Sequence, residues 1–359
     1  MNRHKLARRT MIAGAMTGAL GVGALTLRSG SARAQRVQPA STVPAQATDV
    51  LTKRLPRGDE SLPAIGLGTF LTFDTIPGQP RAHLGEVVAR YWAGGARVVD
   101  TSPLYGTAEI SVGDYATALG ITDRLFFANK IWATGDFLAD ESHALASLRA
   151  SEGRLWRERL DLMQVHSLVN VDVMVPYLRA WKKEGRIRYL GVTHFENQYF
   201  EPLAAWIERG NLDFVQVNYS IFNRRAEERI LRTAAERGTA VLTNMPFEKA
   251  RLFKIVEGRP LPDFAREVGI ATWAQYFLKW VISHPAVTVA LAATANPAHA
   301  DENVAALRGP LSDAAMRQRM VRHMETIPGF DKLSEMPWYP DKRYPGIIGR
   351  AQAQLRART

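Results

Sequence analysis

The chain of 359 residues contains no cysteine. Disulfides, thiolate metal sites and cysteine nucleophiles are therefore excluded, while the compartment stays open, because absence of cysteine fits any of them. No G-x-G-x-x-G opens a helix. "GLG" at Gly66–Gly68 lacks both the third glycine and a helix behind it, so the usual dinucleotide fingerprint of a doubly wound sheet is missing. The eight histidines include no H-E-x-x-H and no other paired spacing, and no metal site is expected. The chief apolar run, Met11 to Leu27, spans 17 residues and is rich in glycine, at the lower limit for crossing a bilayer.

That run belongs to a recognisable layout. It follows a basic start with Arg8-Arg9 and precedes a polar stretch ending Ala32-Arg33-Ala34, an A-x-A cleavage pattern. The paired arginines resemble a twin-arginine export signal. The expectation is a signal peptide over residues 1–34, transient contact with the twin-arginine export machinery, a periplasmic location and no stable membrane insertion of the mature protein. Such export carries proteins already folded, often with a cofactor bound. The signal holds six of the 46 basic residues and none of the 35 acidic ones, so the net charge of +11 falls to +5 without it. Nothing in that balance calls for a nucleic-acid partner.

Residues 35–55 read as a polar linker. From there to about residue 320, short apolar runs alternate with amphipathic stretches. The runs are Ala64–Phe70, Arg97–Thr101, Leu125–Ile131, Leu160–His166, Ile187–Thr193, Phe214–Tyr219, Ala240–Asn244 and Val287–Ala292. Continuous apolar runs of this length suit parallel strands buried on both faces. Eight repeats of strand and helix point to a single-domain α/β fold, the (β/α)8 TIM barrel, over 56–320. A doubly wound open sheet is the alternative. Residues 321–359 read as an irregular C-terminal tail that packs over one barrel face or lacks fixed structure.

Barrel enzymes carry their chemistry at the C-terminal ends of the strands. Here the second strand ends at Asp100, with Tyr105 in the loop behind it, the third at Lys130 and the fourth at His166. Taken singly, Asp100 could cap a helix, Tyr105 could pack, Lys130 could snorkel and His166 could be a satisfied core residue. Together they place four titratable groups at one end of three adjacent strands. Charged residues seldom occupy such buried positions unpaired.

The stretches "VVDTSPLYG", "LFFANKI", "DLMQVHS", "GRIRYLGVTHF" and "FVQVNYS" resemble, in order, the barrel motifs of the aldo/keto reductase family. The resemblance covers most of Leu62 to Leu307 and implies hydride transfer between a nicotinamide and a carbonyl. It implies Tyr105 as general acid, with Asp100, Lys130 and His166 completing the catalytic tetrad. Chemically, a lysine beside a phenol is expected to lower its pKa, an aspartate to hold that lysine, and a histidine to orient the carbonyl oxygen.

The same resemblance assigns the cofactor contacts. Thr193 and His194 stand where the family has Ser-Asn at the nicotinamide carboxamide, and Gln216 matches a glutamine on strand six. Asn244 takes the place of a stacking tyrosine, with Phe247 as a substitute from the same loop. Thr294, Asn296, His299, Glu302 and Asn303 match the segment that grips the adenosine phosphate. Two positions there that are basic in NADPH-dependent members are Ala293 and His299, which weakens discrimination for a 2′-phosphate. NADP(H) is ranked first and NAD(H) stays open. The expected activity is reduction of an aldehyde or ketone, a small-molecule carbonyl substrate, in a pocket walled by Trp132, Phe195, Tyr219 and Phe247. A non-catalytic nicotinamide-binding sensor barrel and an alcohol dehydrogenase working in the oxidising direction remain as alternatives.

Overall fold

A computed structural model describes residues 49–133 and 141–356. The expected signal peptide lies outside the described residues, as does most of the expected linker. Among the described residues no helix is long and apolar enough to cross a membrane.

The chain opens with a short antiparallel hairpin, β1 (Thr52–Arg54) and β2 (Ser61–Pro63), and then enters the repeating unit: β3 (Ile65–Gly68), α1 (Ala82–Ala93), β4 (Val98–Asp100), α2 (Ala108–Ala118), β5 (Phe126–Ile131), α3 (Ser142–Leu155), β6 (Leu160–His166) and α4 (Val171–Lys183). It continues through β7 (Ile187–His194), α5 (Phe200–Glu208), β8 (Phe214–Asn218), α6 (Ile230–Arg237), β9 (Ala240–Asn244), α7 (Arg251–Ile255), α8 (Trp273–Ile282), β10 (Val289–Ala293) and α9 (Pro297–Ala305). Two further helices follow, α10 (Ala314–Glu325) and α11 (Ile347–Arg356). Strands β3 to β10 close in sequence order into an eight-stranded barrel, every pairing parallel, with β10 hydrogen-bonded to both β9 and β3. This is the (β/α)8 barrel expected from the sequence, and the doubly wound alternative falls with it.

Two sequence-drawn boundaries differ. Thr52–Arg54, inside the stretch read as linker, pairs with Ser61–Pro63. The segment read as an irregular tail contains the end of α10 and all of α11.

Alternation along the parallel strands sorts the barrel interior into layers. Near the strand starts the inward residues are apolar: Val98, Phe126, Leu162, Phe214, Ala240 and Val289 pack with Leu55 and Leu62 of the hairpin segment. Glu60 fixes that plug, accepting a 2.6 Å hydrogen bond from the Tyr189 hydroxyl and pairing with Arg188, which also holds buried Asp161 at 2.7 Å. Two to four residues further along most of these strands the inward side chains turn polar, after Ala128, Leu242 and Leu291 extend the apolar layer on β5, β9 and β10. Asp100, Lys130, Gln164, His166, Thr193, Gln216, Asn218 and Asn244 therefore face the opposite mouth.

The outer helices lay apolar stripes on the sheet. On α4 these are Val171, Met174, Val175, Leu178 and Trp181, at helical spacing. Between helices the seat of α2 bears on the site, because α2 begins just after Tyr105. Glu109 in its first turn is buried and accepts hydrogen bonds from Asn129 (2.9 Å), Ser151 (2.7 Å) and Arg154 (2.8 Å). A buried carboxylate with three donors is satisfied and directional. It ties α2 to β5 and α3.

Candidate active site

The polar mouth centres on an ion pair. Lys130 Nζ lies 2.6 Å from Asp100 Oδ1 and donates a second bond to the Thr101 carbonyl at 2.9 Å, with both side chains almost wholly out of water. Burial pushes the Asp100 carboxyl up and the Lys130 ammonium down, and each group is the other's chief counterweight. The Lys130 ammonium sits 4.9 Å from the centroid of the Tyr105 ring. That ring also packs 5.0 Å from Phe70 and 5.8 Å, edge to face, from His166. The structure thus brings all four expected catalytic residues together.

One electrostatic expectation is corrected. The phenol of Tyr105 is not lowered by Lys130. Burial raises it well above its ordinary value, and the negative Asp100 and neighbouring Tyr339 add to that. The ammonium is already paired to Asp100, so the half-buried phenol meets a nearly neutral couple. Tyr105 consequently stays protonated across the physiological range and is a proton donor.

His166 has its pKa lowered to about 3, first by burial and then by Lys130 and His194. It is therefore neutral. Ser102 Oγ accepts the Leu104 N–H at 3.2 Å and lies 3.2 Å from His166 Nδ1. A serine proton directed at Nδ1 would leave the imidazole proton on Nε2, where it could donate to a substrate oxygen. Ser102 was inside the quoted "VVDTSPLYG" but was not singled out in the sequence. The linkage sign is fixed: the unfolded imidazole binds a proton near 6.5 and the folded one only near 3. Stability is therefore lost as pH falls through that window. His166→Asn should show a shallower acid-side loss of unfolding free energy than the wild type, by up to about 1.4 kcal/mol per pH unit; urea titrations across the window measure it.

A second polar line was also unread in the sequence. Gln164 donates to Gln216 Oε1 at 2.9 Å, and Gln216 hydrogen-bonds Asp100. Gln216 thus orients the tetrad as well as facing the mouth. Several polar atoms around it are buried without a partner among the described residues: Gln164 Oε1, Asn218 Oδ1 and Asn244 Oδ1. Leaving such an acceptor unmet costs about 1–3 kcal/mol each. Unmet amide oxygens on neighbouring inward strand positions suit an incoming amide donor such as a nicotinamide carboxamide, and Thr193 lies on the same inward face.

The remaining expected contacts divide. His194 stacks on Tyr199 at 3.8 Å, and its Nδ1 accepts the Glu196 N–H, which leaves Nε2 for a ligand. Past β10, Thr294 Oγ1 accepts the Asn296 N–H and Asn296 Oδ1 caps α9 by accepting from Ala298, each at 2.9 Å. His299 is exposed beside this cap and Glu302 is half-buried. A capped helix N-terminus with these groups suits a phosphate. Asn303 does not point there: its amide donates to the Tyr91 hydroxyl at 2.9 Å inside the α1–α9 contact.

The expected aromatic wall is partly overturned. Tyr219 is fully buried on the outside of the barrel, 5.1 Å from Trp280 and bonded to Glu227 and Arg317. Phe247 turns into its own loop against Phe253 at 4.8 Å and is no surrogate stacking partner. Phe195 does border the mouth, where Trp338 of the C-terminal segment meets it at 6.3 Å. Alternation accounts for Tyr219: with Phe214, Gln216 and Asn218 facing in, the next residue turns outward.

Comparison with known proteins agrees with this geometry. Residues 64–320 match the Aldo/keto reductase family. The chain is 28% identical over 270 residues to the methylglyoxal reductase YeaE of Escherichia coli, covering 72% of this chain and 90% of that protein. It is 24% identical to the NADH-specific methylglyoxal reductase of the same organism, covering 73% and 95%. Among solved structures, an aldo/keto reductase of Klebsiella pneumoniae in complex with NADP and acetate aligns at a TM-score of 0.59 with 25% identity, over 74% of this chain and 92% of that one. With its closed barrel, its gathered tetrad and a family match across nearly the whole described barrel, the chain belongs to the aldo/keto reductase family, as an NAD(P)H-dependent oxidoreductase of carbonyl compounds.

Proposed function

We propose that this enzyme reduces small aldehydes and ketones, 2-oxoaldehydes such as methylglyoxal first among them, with NADPH preferred and NADH accepted. The observation that carries the reading is the Tyr105 ring held 4.9 Å from the ammonium of the buried Lys130–Asp100 pair and 5.8 Å from His166. Thr193, His194 and Gln216 would hold a reduced nicotinamide, which when bound would supply the hydride for the carbonyl carbon. The chain's own residues do the rest: His166 Nε2–H orients the carbonyl oxygen, and Tyr105 gives it a proton as negative charge develops there. Asp100 keeps Lys130 charged and placed.

The cofactor ranking draws on two relatives of different habit, one solved with NADP and one named NADH-specific. This chain's own residues lean toward tolerance, since neither Ala293 nor His299 offers a permanent positive charge to a 2′-phosphate. Export with the cofactor already in place, through the twin-arginine-type leader, and a periplasmic destination are part of the same proposal. Their support is the order of Arg8-Arg9, the apolar run and Ala32-Arg33-Ala34.

The test is consumption of reduced nicotinamide with methylglyoxal and an aldehyde panel, together with binding titrations of both cofactors. Turnover with both is expected, with affinities within about tenfold, the factor that one 1.4 kcal/mol interaction makes. No consumption with any carbonyl would sink the reading.

A further inference from the structure

The geometry points to Asp74, in the loop between β3 and α1, as a positioning residue for Tyr105: its buried carboxylate fastens the loop carrying the phenol and the C-terminal segment into one arrangement. This rests on the reading of Tyr105 as the acid.

Asp74 is 2% exposed and has no cationic partner among the described residues. Its two oxygens go to two helix starts instead. Oδ1 accepts the N–H of Thr107, the N-cap of α2, at 3.2 Å. Oδ2 accepts the N–H of Ile348, the second residue of α11, at 2.6 Å. A carboxylate shared by two helix N-termini meets orphan donors and the positive ends of both dipoles.

Glycines bring both segments up to it. Gly106, directly after Tyr105, has φ +61°, and a Cβ there would lie 2.1 Å from Asp74 Oδ1. On Gly346 a Cβ would fall 2.2 Å from the Asp74 carbonyl oxygen. Next in sequence, Thr75 donates its N–H to Thr107 Oγ1, and Thr107 returns that hydroxyl to the Thr75 carbonyl, each at 2.8 Å. The backbone on the C-terminal side of Tyr105 is thereby clamped.

The C-terminal segment reaches Asp74 from the opposite rim. Tyr339 donates its N–H to the Lys249 carbonyl at 2.9 Å, and Asp341 pairs with Lys254 at 2.9 Å, in the loop and helix after β9. Trp338 lies against the Lys249 ammonium. Tyr339 is close enough to raise the Tyr105 phenol. Residues 338–348 thus run as a strap from the β9 side of the mouth to the Tyr105 loop, and Asp74 is its buckle.

The experiment compares the wild type with Ile348→Pro, Asp74→Asn, Asp74→Ala, the double variant Asp74→Ala/Ile348→Pro and Tyr105→Phe. Proline deletes the one N–H in question and is tolerated in a first helical turn. Asp74→Ala and Ile348→Pro should each lower kcat about tenfold, the factor one hydrogen bond to a charged group makes, with NADPH affinity unchanged. Asp74→Asn, which keeps an acceptor, should retain more activity than Asp74→Ala. The double variant should be no slower than Asp74→Ala, because both changes open one buckle. Amide exchange at Thr107 should accelerate in Ile348→Pro. Additive losses, or an Ile348→Pro enzyme with normal kcat and normal Thr107 protection, overturn the inference. If Asp74→Ala does not fold, Ile348→Pro and Asp74→Asn decide the matter. A fully active Tyr105→Phe would instead overturn the reading of the site.

Discussion

Tyr105→Phe should lose about 10²- to 10⁴-fold in kcat, the range a positioned proton transfer contributes, and bind NADPH as the wild type does. The phenol oxygen is the only part removed. The ring keeps its contacts with Phe70 and His166, so the pocket wall stays in place. Steady-state consumption of reduced nicotinamide gives the first quantity, and fluorescence titration of the cofactor the second. Normal turnover in this variant would remove Tyr105 from the chemistry.

Asp100→Ala should be the costliest single change for folding in the mouth, at about 3–5 kcal/mol, since it strands a buried ammonium. Lys130 would keep only the Thr101 carbonyl among its present bonds. Lys130→Met should cost less. The Asp100 carboxyl it leaves behind is already raised by burial, can take up a proton, and keeps its bond with Gln216. A sign follows for pH. The Lys130 ammonium is lowered from 10.5 in the folded chain, and loss of Asp100 lowers it further. The unfolded chain then binds the extra proton, so the deficit of Asp100→Ala should shrink as pH rises toward 10.5. Urea unfolding of both variants at several pH values measures this. Equal losses for the two would mean that the pair does not hold the charge distribution described.

The barrel could be read in the sequence because its strands are buried on both faces, and that leaves unbroken apolar runs such as "LFFANKI". The tetrad could be read for a related reason: Asp100 and Lys130 interrupt apolar strands at their ends, where an unpaired charge would be expensive. What escaped depends on geometry no local pattern carries. The β1–β2 strands are three residues each and mostly polar, too short for alternation to show. The direction of the Tyr105 shift escapes the sequence because Lys130 is visible there while the engagement of its charge by Asp100 is not. Asn303 matched a family position, yet its amide is taken by Tyr91, 212 residues away. Asp74 carries no signature at all; its meaning comes from one backbone N–H 274 residues downstream.

That separation bears on biosynthesis. Residue 348 follows Asp74 from the ribosome by 274 residues, whereas the strands bearing Asp100, Lys130 and His166 emerge much earlier and can begin pairing in order. The contact between Asp74 and Ile348 closes a loop of 274 residues, so it is among the last native contacts that can form. A nascent barrel would hold its acid loosely until that turn of helix arrives, so full activity would lag behind the closing of the strands.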